Sequence, residues 1–199
     1  DTPRNYSNLL PVLYKEIIFH TKKLMDKSLN TEQRLLHMRA RPKILLAKTY
    51  EEAKLLYKKY NKNLLGIIAD LRFPKGNKLE KYAGLDFIKH IRKTNKSIPV
   101  VLQTSEQNLN SNDLKNKFHA PILKKNSPKF FKDIKIFMKT NFGFGDFIIK
   151  DVDDNEIDRA INIEDLIEKL DNIPEESIYL HASKNHFSNW LAARGELTL

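Results

Sequence analysis

The chain contains no cysteine, which excludes a disulfide framework and any thiolate metal site. No apolar run approaches the roughly 18 residues of a membrane-spanning helix. Low-complexity tracts and internal repeats are absent, and Asp1-Thr2-Pro3-Arg4-Asn5 is not a secretory leader. The expectation is a soluble, cytoplasmic protein with no membrane partner. The lysines behind the formal charge of +10 come with no recognition-helix, zinc-finger or aromatic RNA-binding pattern. Many sit beside glutamate, as in Glu51-Glu52-Ala53-Lys54, and the densest basic region is Lys124, Lys125, Lys129, Lys132 and Lys135. A solvated lysine surface is favoured over a nucleic-acid footprint.

What is present is organised around Leu64-Leu65-Gly66-Ile67-Ile68-Ala69-Asp70, an apolar run that stops at one carboxylate. Its length is that of a buried parallel strand. Similar short apolar runs at Lys43–Ala47, Ile98–Gln103 and Pro121–Lys124 predict further strands. Between them the spacing predicts helices. Residues 4–38 read as helical with a break at Ser28–Thr31, where Asn30 or Thr31 caps the second piece. Thr49-Tyr50-Glu51-Glu52 is a capping box opening a helix to about Tyr60. Leu85, Phe87, Ile88 and Ile91 share a helical face, Leu109, Leu114 and Phe118 give a weak one, and Ser127-Pro128 starts a helix through Met138. Residues 75–83 read as a loop. Strand–helix alternation predicts an α/β fold, a doubly wound parallel sheet covered on both faces, over residues 1–140. Beyond Phe142-Gly143-Phe144-Gly145, a hairpin (146–150 with 156–160) and helices at Ile163–Leu170 and from Glu175 to about Arg194 predict a small α+β module over 146–199.

The predicted strands deliver Asp70, Thr104 and Lys125 to one sheet edge, where open α/β sheets hold their chemistry. A carboxylate, a hydroxyl and an ammonium at neighbouring strand ends can accept and hold a phosphoryl group. The carboxylate is the nucleophile, the hydroxyl donates to a phosphoryl oxygen, and the lysine neutralises another. Because two anions must meet, a hard divalent ion, Mg²⁺, is expected.

Asp70 with Pro74, Pro99-Val100-Val101-Leu102-Gln103-Thr104-Ser105, and Ile122-Leu123-Lys124-Lys125 resemble the signature segments of response-regulator receiver domains, which have a flavodoxin-like, CheY-like fold. The resemblance covers about residues 1–140. It implies Asp70 as phosphoacceptor, Thr104 as switch hydroxyl and Lys125 as phosphate-binding lysine. It further implies Mg²⁺ held by Asp70, the backbone carbonyl of Arg72 and an acidic pair at the end of a first strand, of which Asp1 is the second acid and the first is missing from the chain. That first strand is missing from the chain, which therefore reads as beginning late, and Glu196-Leu197-Thr198-Leu199 reads as a truncated end. Ile122 and Asn126 depart from the family's usual aromatic and proline.

Leu35–Ala47, Asn141–Phe147 and His181–Leu191 are further similar to receiver-like regions at the amino end of phosphoenolpyruvate synthase-like or pyruvate, phosphate dikinase-like proteins. The implied role is non-enzymatic: a two-component receiver, phosphorylated by a histidine kinase or a small phosphodonor, that signals to its carboxyl-terminal module or to an attached enzyme domain, with a homodimer compatible. The rival readings are a phosphate-independent pseudo-receiver and, behind it, a basic nucleic-acid-binding protein.

Smaller motifs carry less. Asp151-x-Asp153-x-Asn155 opens like a calcium loop but has Glu156 and Asn162 where the glycine and closing acid belong, so it reads as a hairpin turn. His181 and His186 lack the i, i+4 spacing of helical metal ligands. Trp190 reads as a core or interface anchor.

Overall fold

A computed structural model describes residues 3–106 and 120–196, with the side chain of Arg4 excepted. The chain separates into two compact units, Asp1–Lys15 with Lys43–Lys135, and Glu16–Pro42 with Ile136–Leu199. This groups Glu16–Pro42 with the carboxyl-terminal residues. A linear reading by composition shifts has no signal for such a grouping, because it depends on which faces pack.

In the first unit, β1 (Ile67–Asp70), β4 (Val100–Thr104) and β5 (Ile122–Lys124) form a three-stranded parallel sheet in the order β1-β4-β5. The register pairs Asp70 with Gln103 and Thr104 with Lys124. β4 is buried along its whole length, as expected of the middle strand. Among the described residues two α-helices belong wholly to this unit, α3 (Tyr50–Tyr60) and α4 (Ala83–Arg92). The core joins Tyr57 of α3, Phe87, Ile88 and Ile91 of α4, and Val100 and Leu102 of β4. The capping box forms as expected: Thr49 accepts from the Glu52 N–H at 3.2 Å, while the Glu52 carboxylate accepts from the Lys48 N–H at 2.7 Å. The mixed α/β class is therefore observed, with one parallel sheet of three strands.

Two expectations are corrected here. Lys43–Ala47 is not a strand. Among the described residues β1 hydrogen-bonds only to β4, and Leu45 and Leu46 remain 43% and 38% exposed. An apolar run becomes a strand only where a neighbouring edge receives it, and the run itself does not reveal that edge. Conversely, the predicted loop at 75–83 holds a hairpin, β2 (Phe73–Lys75) against β3 (Lys78–Glu80). Its turn residues Gly76 and Asn77 have φ of +57° and +63°, the signature of the tight turn that matches strand twist. The weak helix around Leu109–Phe118 lies outside the described residues.

The second unit contains α2 (Thr31–Arg39), the antiparallel hairpin β6 (Phe147–Lys150) and β7 (Glu156–Ala160), and three further helices, Ile163–Leu170, Glu175–Ser183 and His186–Arg194. Numbered in chain order these three are α6, α7 and α8. The label α5 belongs to Phe130–Asn141, which, like α1 (Pro3–Asp26), has residues in both units. Asn30 caps α2, accepting from the Gln33 N–H at 2.8 Å. The core of the unit is Phe147, Ile149, Ala160, Leu166 and Trp190. The single helix expected from Glu175 to Arg194 is broken, because Asn185 adopts the left-handed region at φ +57° and starts α8 on a new axis. No helix among the described residues is long and apolar enough to cross a membrane.

Candidate functional site

Asp70 ends β1, Thr104 ends β4, and Lys125 follows β5, so the order β1-β4-β5 lays the three side by side at one sheet edge. Backbone hydrogen bonds continue past the strand ends and fix the spacing. Leu71 donates its N–H to the Gln103 carbonyl at 2.9 Å, and Lys125 donates to the Thr104 carbonyl at 2.8 Å. The lysine side chain reaches across β4, and its Nζ lies 2.5 Å from Asp70 Oδ2. Both side chains are nearly buried, 11% and 8% exposed. A buried ion pair is weak evidence for stability, since its desolvation cost can cancel its attraction. A chemical role is the better account of charge kept at this depth. Thr104, at the end of the strand between Asp70 and Lys125, is buried, and its Oγ1 accepts from the Glu106 N–H at 3.1 Å.

Gly84, in the first turn of α4, permits this arrangement. Its N–H donates to the Leu71 carbonyl at 3.0 Å, and a Cβ there would stand 2.3 Å from the Asp70 carbonyl oxygen and 3.0 Å from Leu71 Cα. Both obstacles are backbone and cannot rotate away. Gly84→Ala is expected to cost about 3 kcal/mol by overpacking. Gly76→Ala, a change in open space at positive φ, should cost only about 1 kcal/mol. Thermal denaturation of the two variants checks the difference.

Of the other expected site residues, Arg72 lies in the bend after β1 with its side chain exposed, and Asp1 is outside the described residues. Among the described residues no group of three or more histidines and carboxylates could hold a metal ion. At this edge they supply one carboxylate, already paired with Lys125. That donor set does not by itself fit Mg²⁺, which takes several oxygen ligands in octahedral order.

No family model, no curated protein and no solved structure matches this chain.

The second unit holds a polar cluster that the sequence reading missed. Arg194 is buried, donates from Nη1 to the Gly143 carbonyl at 2.7 Å and from Nη2 to the Gly145 carbonyl at 2.8 Å, and stacks 3.6 Å over the Trp190 ring. Trp190 donates from Nε1 to the Gly145 carbonyl at 3.0 Å. Burial lowers the Arg194 pKa to about 10. The break at Asn185 also turns the His186 ring onto His181, Nδ1 to Nδ1 at 2.9 Å. The Lys150 N–H donates to His181 Nε2 at 2.9 Å. His181 therefore carries its proton on Nδ1 and donates it to His186. Both are held neutral: burial, then neighbouring positive charge, lowers His186 to about 4 and His181 in the same direction. With their facing nitrogens sharing one proton, the two rings form a structural pair rather than a metal site. The expected calcium-like segment is a turn, with the Asp151 carboxylate accepting from the N–H groups of Asp153 and Asn155.

Ser28, His37 and Glu196 line up at 3.0 Å and 3.5 Å, a serine–histidine–acid order. Ser28 faces His37 Nδ1 and not Nε2, and its Oγ also lies 3.1 Å from the Leu24 carbonyl as a donor, which closes a helix end. This geometry serves packing, not nucleophilic attack.

Proposed function

We propose that the first unit is a receiver-type phosphoacceptor domain in which Asp70 is the acceptor. The observation that carries this reading is the 2.5 Å approach of Lys125 Nζ to Asp70 across the end of β4, the strand between them, which itself ends on the buried Thr104. The Asp70 carboxylate attacks the phosphorus of a phosphohistidine or of a small acyl phosphate. An O–P bond forms, the donor's P–N or P–O bond breaks, and the electron pair leaves with imidazole or carboxylate. Lys125 then exchanges one oxyanion for another and Thr104 donates to a second phosphoryl oxygen. The wider doubly wound, flavodoxin-like arrangement, and Mg²⁺ held with Asp1 and the Arg72 carbonyl, belong to the same proposal. The output is a changed surface passed to the carboxyl-terminal unit or to an attached phosphoenolpyruvate synthase-like enzyme.

A second reading, a pseudo-receiver that binds partners without phosphate, is favoured by one observation: the described residues place a single carboxylate at the edge, closed by its lysine. Incubation with acetyl phosphate and Mg²⁺ separates the two. The expected result is a mass gain of one phosphoryl group that hydroxylamine removes and that Asp70→Asn abolishes. An unchanged mass, with no spectral response to beryllofluoride, establishes the pseudo-receiver instead.

A further inference from the structure

The whole-chain charge of +10 conceals a separation that appears only when the chain is divided by its fold. The first unit carries 23 lysine and arginine residues against 9 acids, a formal charge of +14. The second carries 12 against 16, a charge of −4. The basic excess therefore belongs wholly to one unit, and 20 of its 23 cations are lysine.

Part of that excess is gathered on one face, where α3 meets α4. Lys54, Lys58 and Lys62 recur every fourth residue along α3 and the turn after it, and all three are exposed. Between the two helices, the ring of Tyr57 from α3 packs edge-on against His90 of α4 at 6.2 Å, and Tyr57 Oη hydrogen-bonds Thr94 Oγ1, just past α4, at 2.8 Å. The positive charges of Lys54 and Lys93 both act on His90. Lys54, Lys58, Lys62, Lys93 and Lys96 form no ion pair among the described residues, unlike Lys75, Lys81 and Lys89, which face Asp86 or Glu106.

We propose that this α3–α4 face binds the phosphate backbone of nucleic acid without reading sequence. The composition decides between the two polyanions that could fit. A protein partner's interface draws on arginine and aromatic anchors and is depleted in lysine. Here Tyr57 is buried, and Arg92 turns inward to the carbonyls of Ile98 at 2.8 Å and Asn95 at 3.4 Å. What remains outward is a set of separate ammonium groups on flexible stems, which suits a repeating phosphate charge and offers no base-edge geometry. The proposal is independent of phosphoryl transfer at Asp70.

The test is fluorescence anisotropy of the full chain with a labelled, mixed-sequence DNA duplex over a range of salt. Binding is expected with a dissociation constant of about 1–100 μM near 0.1 M salt, falling steeply as salt rises. The variant Lys54→Gln/Lys58→Gln/Lys62→Gln/Lys93→Gln should weaken binding at least about tenfold and lower the log–log salt slope by about three to four. A matched variant in the second unit, Lys22→Gln/Lys27→Gln/Lys139→Gln/Lys184→Gln, removes the same charge and should leave binding within about twofold. Circular dichroism checks that both variants fold. Absence of binding in low salt overturns the proposal, as does equal weakening by the two variants. Displacement of the duplex by polyglutamate at equal charge assigns the face to an acidic protein and also overturns it.

Discussion

Lys125→Met is expected to destabilise the first unit by about 3 kcal/mol at neutral pH, while Asp70→Asn costs about 1 kcal/mol. The asymmetry follows from which charge can escape. Asp70 sits on the last residue of a buried strand with its side chain 8% exposed, and a short carboxylate there cannot reach water when its lysine is gone. Lys125 carries its charge on a four-carbon stem, follows the strand end, and can swing outward when its acid is neutralised. The lysine variant should also lose phosphoryl uptake, because nothing then offsets the incoming oxyanion. Urea unfolding at pH 7, with amide exchange in β4 to confine the readout to this unit, measures the two penalties, and mass gain with acetyl phosphate measures the uptake. Equal destabilisation by the two variants would contradict the account of a carboxylate held dry by its partner.

The second large effect is acid sensitivity of the other unit. His20 is 3% exposed, donates from Nε2 to the Ala193 carbonyl at 2.8 Å, and stacks on Phe144 with ring centroids 4.4 Å apart. Burial outweighs that hydrogen bond and lowers its pKa from 6.5 to about 4, and His186 is lowered to about 4 as well. In both cases the unfolded chain takes up its proton near pH 6.5 and the folded chain resists until about pH 4. Stability is therefore complete above pH 6.5, declines as pH falls through that window, and reaches its full loss below pH 4. Each group contributes on the order of 2–3 kcal/mol, against a typical total stability of about 5–15 kcal/mol. Trp190, the only tryptophan in the chain, lies buried in this unit and reports it alone. Its emission should shift to the red between pH 6 and pH 4, and His20→Phe with His186→Gln should move the transition to lower pH. Emission unchanged to pH 4 would remove the linkage.

Much of the site is legible in the sequence. Apolar runs ending in Asp70, Thr104 and before Lys125 mark parallel strands, because a strand buried on both faces has no polar residue to alternate with. The parallel order of those strands then brings their ends together. The capping box at Thr49 and the hairpin at 146–160 were equally local, and they formed as read. Local rules failed where the outcome depended on a distant partner or on one dihedral. Lys43–Ala47 has the composition of a strand and forms none. Gly76-Asn77 makes a hairpin where polarity suggested a loop. Asn185 splits a helix and so places His186 against His181, a contact that linear spacing had excluded.

Residue type within short windows settles β1, β4 and β5, the three chemical groups at their ends and the absence of thiol chemistry. Tertiary packing settles that Lys125 closes on Asp70 at 2.5 Å, that Arg194 is anchored on the Gly143 and Gly145 carbonyls, and that the charge divides into +14 and −4. Those facts depend on which segments pack together over separations of about fifty residues or more, and side-chain packing sets them, not the order of the chain.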